Sequence, residues 1–119
     1  MQSLEQAQER MVLEQVALRG IREPALLQAL REVPRANFLA PRFREFAHDD
    51  VPLPCDASAA VLSAHSAAVL VQAAGVRPGD RVLEVGTGAG YLTAVLCRLA
   101  GSVVSLDWIP ARGLRAGQA

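Results

Sequence analysis

The segment Glu84-Val85-Gly86-Thr87-Gly88-Ala89-Gly90 constrains this chain more than any other. It stands between a short β-branched run, Arg81 to Val85, and a helical pattern, Tyr91 to Ala100; a second apolar run, Ser102 to Leu106, follows. Strand, loop, helix and strand in that order predict one βαβ unit, parallel and right-handed. Glycines at a strand-to-helix turn let the backbone approach a ligand at the carboxyl end of the sheet. Asp107, at the tip of the second strand, can accept hydrogen bonds from both hydroxyls of a ribose. The pattern therefore predicts a nucleoside site, against the simpler alternative that the glycines only make a tight turn.

Charge decides which nucleoside. A dinucleotide fingerprint needs a third glycine where this chain has Tyr91, so the match to the nicotinamide pattern is partial. Glu84, directly before the loop, would repel a pyrophosphate but suits a ligand carrying an ammonium and a sulfonium. S-adenosylmethionine is such a ligand. The candidate cofactor residues are accordingly Glu84, Gly86, Thr87, Gly88, Gly90 and Asp107. Trp108 could stack on the adenine or cover the strand end.

Upstream of this unit the pattern is helical. Ser3 with Gln6 predicts a capping box, and Met11, Val12, Val16 and Leu18 continue at helical spacing until Gly20. Pro24 opens a second, shorter helix with Leu26, Leu27, Leu30 and Val33 on one side, ended by Pro34. Arg35 to Pro54 reads as an irregular arm with a helical turn near Arg42 to Phe46. Ser58 to Ala74 reads as a buried helix, capped by Ser58 or Ser63 and stopped by Gly75. Residues 1–57 are thus expected to form an N-terminal helical arm and 58–119 the first βαβ part of an α/β domain.

The bulk properties exclude several partners. Twelve basic and twelve acidic side chains balance to zero net charge, which leaves no basic stripe for nucleic acid or anionic membranes. The longest apolar stretch, Ala67 to Val76, is broken by Gln72 and too short to cross a bilayer. Met1 to Arg19 lacks a secretory pattern, and Cys55 and Cys97 lack metal-ligand or redox spacing, so a cytoplasmic protein with free thiols is expected. Asp49-Asp50 reads as a solvated turn rather than a metal site. No metal is expected. His65 reads as structural, and Cys55 as a loop cysteine rather than a nucleophile paired with His65 or His48.

Three blocks resemble the protein-L-isoaspartate O-methyltransferase family. Met11-Val12 through Arg19-Gly20-Ile21, then Val33-Pro34-Arg35 with Phe38, are similar to the family's N-terminal helices and its Val-Pro-Arg segment. Pro52-Leu53-Pro54 is similar to the lead into its active-site loop, and Pro78-Gly79-Asp80 through Gly90-Tyr91 to its cofactor motif. The resemblance implies an α/β chain: an incomplete Rossmann-like class I S-adenosylmethionine-dependent methyltransferase fold with N-terminal helices. It also implies methyl transfer to an isoaspartyl α-carboxylate in protein or peptide substrates, as a repair reaction. The chain departs from the family after Leu53-Pro54. The family's catalytic serine falls on Leu62 without a gap, or on Ser63 if the loop shifts by one residue, and its threonine falls on Ala60. Ser63 is the candidate catalytic hydroxyl.

Only Trp108 to Ala119 follow Asp107, and these small residues do not read as a third strand, so a fragment with little activity of its own is expected. Two readings stay open. One is a repair methyltransferase, favoured by the cofactor motif. The other is a non-catalytic remnant or cofactor-binding module of the family, favoured by the altered loop at Ala60 to Ser63.

Overall fold

The computed structural model describes residues 2–56 and 59–109. Helix α1 spans Leu4–Gln15, and its capping box is formed as expected. The Ser3 hydroxyl accepts the Gln6 N–H at 3.1 Å, while the Gln6 side-chain oxygen accepts the Ser3 N–H at 2.9 Å. The helix ends earlier than its apolar spacing suggests. Val16 is fully buried, a tight 3-10 turn over Ala17–Arg19 follows, and left-handed Gly20 stops the chain. Leu18 consequently points to solvent instead of joining the core. Helix α2, Pro24–Glu32, starts on the proline that tolerates a first-turn position and buries Leu26, Ala29 and Leu30.

Two further 3-10 turns, Arg35–Phe38 and Pro41–Phe46, make up the arm. The next segment corrects the sequence reading. Strands β1 (Leu53–Asp56) and β2 (Ala59–Val61) pair antiparallel, with Leu53 opposite Val61 and Pro54 opposite Ala60, so residues 59–61 extend as a strand. Helix α3 begins only at Ala64 and runs to Ala74, with Ser63 as its N-cap and left-handed Gly75 as its stop. Cross-strand pairing here overrides the helical propensity of the alanines, as tertiary context commonly does. Ser58, the other expected cap, lies outside the described residues. One buried cluster takes in residues from both strands, Leu53 and Val61 among them.

Strand β3 (Arg81–Val85), helix α4 (Tyr91–Leu99) and strand β4 (Ser102–Leu106) form the expected unit. The two strands are parallel, with Glu84 opposite Ser105 and Val85 opposite Leu106. Alternation sends Val82, Glu84, Val103 and Ser105 toward the covered side, while Leu83, Val85, Val104 and Leu106 are exposed. The polar pair Glu84 and Ser105 therefore lies side by side under the helical layer, at the end of the sheet where the glycine loop leaves. No described helix is long and apolar enough to cross a membrane. Residues 110–119 lie outside the described residues, and with them most of the segment read as carrying no third strand.

Candidate functional site

The glycine loop turns by placing Gly86, Gly88 and Gly90 at φ values of 97°, 57° and 95°, a region that side chains with a Cβ rarely occupy. A Cβ built on Gly86 or Gly88 would meet nothing within 4 Å, so these glycines serve the turn and leave the space above the loop open to a ligand. Most of the loop amides are used internally. Gly86 and Thr87 donate to the Leu106 carbonyl at 2.6 and 3.3 Å, Gly88 donates to the Asp107 carboxylate at 3.0 Å, and Gly90 donates to the Thr87 carbonyl at 3.0 Å. A phosphate cradle would turn such amides outward. This geometry argues against a pyrophosphate, in line with the charge of Glu84.

Glu84 is buried and held by hydroxyls. Thr93, in the first turn of α4, and Ser105, its neighbour on β4, both donate to one carboxylate oxygen, Ser105 at 2.5 Å. Because the Ser105 proton is directed to Glu84, the Thr87 hydroxyl donates to Ser105, at 2.6 Å. The Thr87 side chain thus supports the acid from within. Asp107 accepts Gly88 N–H with one oxygen and Ile109 N–H with the other, at 3.0 and 2.9 Å, so it clamps the loop as well as standing at the strand tip. Trp108 is 91% exposed, so it does not cover the strand end.

A small cavity of about 90 Å³ lies where the hairpin exit, Ala60 to Leu62, faces the loop, and Glu84 and Tyr91 also line it. This volume is well below the ~300–1,000 Å³ of small-molecule sites. Leu62 faces this cavity. Ser63 is buried beside it as the α3 cap, where its hydroxyl oxygen accepts the Ser66 N–H and donates to the Ser66 hydroxyl, both at 3.1 Å. A larger groove of about 690 Å³ runs between α1, α2 and the arm, past Glu9, Arg31 and His48, and holds none of the candidate residues.

The remaining candidates resolve into structural roles. His65 Nδ1 lies 3.0 Å from the Gln15 carbonyl, a hydrogen bond that ties α3 to α1. The Cys55 thiol points to the Ala59 carbonyl at 3.5 Å, within the hairpin. The Asp50 carboxylate pairs with Arg19 at 2.6 Å. Sequence reasoning missed the hydroxyl shell of Glu84. Its available signal was Ser105, a polar residue inside an apolar strand.

Tyr91 opens α4 with its ring against Phe38, centroids 5.6 Å apart, and its hydroxyl is buried without a hydrogen-bond partner among the described residues. Burial pushes the phenol up from 10.0 to about 12, opposed in part by Arg35. The folded-state pKa is raised, so this contribution to stability is complete below pH 10 and is lost as pH rises toward 12. Tyr91→Phe is expected to flatten that alkaline loss and to gain about 1 kcal/mol at neutral pH by removing a stranded donor. Urea unfolding of both proteins at neutral and alkaline pH checks this, and an unchanged alkaline slope would contradict it.

Fold and site together define a Rossmann-like α/β chain of the class I methyltransferase type. The sequence profile described as Protein-L-isoaspartate(D-aspartate) O-methyltransferase matches residues 6–116. Among curated relatives, protein-L-isoaspartate O-methyltransferase 1 of Rhodopseudomonas palustris is 41% identical over 111 residues, covering 93% of this chain and 45% of the relative. Protein-L-isoaspartate O-methyltransferase 2 of Pelobacter propionicus is 42% identical over 113 residues, covering 93% and 50%. A solved protein-L-isoaspartate O-methyltransferase superposes with a TM-score of 0.78 at 25% identity, covering 93% of this chain and 37% of the other. A Plasmodium falciparum structure described as a protein-L-isoaspartate O-methyltransferase in complex with S-adenosyl-L-homocysteine gives 0.76 at 18% identity, covering 93% and 53%. The chain belongs to the protein-L-isoaspartate(D-aspartate) O-methyltransferase family, and it spans about half the length of these curated relatives.

Proposed function

We propose that this chain carries the cofactor loop of an S-adenosylmethionine-dependent methyltransferase that esterifies the isoaspartyl α-carboxylate of damaged proteins in the cytoplasm. The observation that carries the reading is the small cavity in which the Glu84 and glycine-loop wall faces the hairpin exit at Ala60 to Leu62. Family membership supplies the substrate class. The donor set fits the cofactor: Glu84 for the ammonium, Gly86, Thr87, Gly88 and Gly90 for close backbone approach, Asp107 for the ribose. When bound, S-adenosylmethionine supplies an electrophilic methyl group.

The chain's own task is then orientation. An isoaspartyl carboxylate with an ordinary pKa of about 4 is already ionised at neutral pH and needs no strong base. Holding it in line with the methyl carbon requires a hydroxyl or amide donor, a role we assign to Ser63, whose hydroxyl would then exchange its bond to Ser66 for one to substrate. The division into a helical arm over 1–57 and a cofactor unit over 58–119 belongs to the same proposal.

A second reading, a cofactor-binding module without catalysis, is favoured by Leu62 on the cavity and by the engaged Ser63 hydroxyl. Transfer of labelled methyl from S-adenosylmethionine to an isoaspartyl peptide, with the aspartyl peptide as control, separates the two. The repair reading expects label on the isoaspartyl peptide only and a loss of about 10–100-fold in Ser63→Ala. Tight binding of S-adenosylhomocysteine with no transfer by the full-length protein would select the module.

A further inference from the structure

We propose that the turn Arg35–Phe38 sets the separation between the two walls of the loop cavity, with Arg35 as the positioning residue for the hairpin wall. This rests on reading that cavity as the methyl-transfer site. Arg35 is 0% exposed, and each of its five N–H groups donates to a backbone carbonyl. Nε reaches Leu62 at 2.9 Å and Nη2 reaches Val61 at 3.4 Å, both on the hairpin exit that lines the cavity. The remaining three bonds reach Ala47 at 3.0 Å, Asp49 at 3.2 Å and Val51 at 2.5 Å, which anchors the same guanidinium in the arm. A planar fork with fixed donor directions locks five carbonyls relative to one another, whereas a lysine ammonium with three rotatable donors cannot.

The other end of the turn holds the opposite wall. Phe38 packs its ring on Tyr91, which follows Gly90 directly and lines the cavity. One short turn therefore touches both sides, through Arg35 on the substrate side and Phe38 on the cofactor side. Neither residue lines the cavity itself, so both act through the groups they hold. A simple core role would lower stability without separating substrate handling from cofactor handling.

The test compares the full-length protein with Arg35→Lys and Phe38→Leu by peptide methylation kinetics, S-adenosylhomocysteine titration and amide hydrogen exchange. Arg35→Lys is expected to lose about 10–100-fold in kcat/KM for an isoaspartyl peptide, mainly through KM, whereas Phe38→Leu, which loosens the Tyr91 wall, is expected to weaken S-adenosylhomocysteine binding by about 10-fold. In Arg35→Lys, cofactor-product affinity should stay within about twofold, because the bonds removed hold the opposite wall. In Arg35→Lys, exchange should accelerate in residues 59–63 while residues 84–90 keep their protection. Unchanged peptide kinetics, or exchange rising equally in both segments, would overturn the proposal. If the parent protein transfers no methyl group, the isoaspartyl reading fails, and selective exchange in residues 59–63 with unchanged S-adenosylhomocysteine affinity still decides the positioning role. Should Arg35→Lys not fold, Phe38→Leu, which leaves every hydrogen bond of Arg35 in place, decides by the reverse split: weakened S-adenosylhomocysteine binding with faster exchange in residues 84–91 supports the proposal, and unchanged affinity overturns it.

Discussion

Arg35→Met is expected to cost about 3–5 kcal/mol of folding stability, among the largest single-residue losses in this chain. Methionine preserves much of the volume, so a cavity contributes little. The loss comes instead from carbonyls of Ala47, Asp49, Val51, Val61 and Leu62 that give up a charged donor together. Hydrogen bonds to a charged group contribute about 1.5–3 kcal/mol each, but part is offset because the buried guanidinium itself was costly to desolvate. Burial lowers the Arg35 pKa, with Tyr91, Asp49 and Asp50 opposing the shift, which is the signature of that desolvation. Denaturant midpoints and slopes of the parent and variant measure the difference. A loss below about 1 kcal/mol would mean that water replaces the guanidinium at these carbonyls without penalty.

Asp107→Ala is expected to weaken S-adenosylhomocysteine binding by about 1–3 kcal/mol, the usual cost of stranding buried polar partners. Two effects add. The proposed ribose acceptor disappears, and the Gly88 and Ile109 amides lose the carboxylate that now holds them at 3.0 and 2.9 Å. Asp107→Asn separates these effects, since its remaining carbonyl oxygen can hold one amide but accept less from two ribose hydroxyls. Calorimetric titration should rank the parent tightest, then asparagine, then alanine. Equal affinity in all three would remove Asp107 from the site and leave it a loop clamp only.

Much of the fold is legible locally. The Ser3–Gln6 box, Pro24 at a helix start, Gly20 and Gly75 as stops, and the parallel pair around the glycine loop all follow from signals within a few residues. The wall proposed for the cofactor is legible for the same reason, because Glu84, the glycines and Asp107 belong to one βαβ unit whose geometry leaves little choice. Family membership was visible too, in the Val-Pro-Arg and glycine-loop blocks, and the profile match over residues 6–116 agrees with it.

What the sequence by itself determined is therefore the βαβ unit, the helix caps and the acidic residues at the two strand ends, since caps, glycine conformations and alternation act over a turn or a strand. Tertiary structure alone decided the rest. Residues 59–61 contain nothing that forbids a helix, and they extend only because Leu53–Asp56 lies beside them to pair. Arg35 reads as an ordinary surface charge in its own neighbourhood. Its carbonyl partners lie 12 to 27 residues further along the chain, so its burial exists only once arm and hairpin are folded around it. Ser105 gains its meaning from the register that places it opposite Glu84. Leu62 and Ser63 are sorted between cavity and cap by the point where strand pairing ends and helical hydrogen bonding begins, a competition between distant backbone partners that no local pattern encodes.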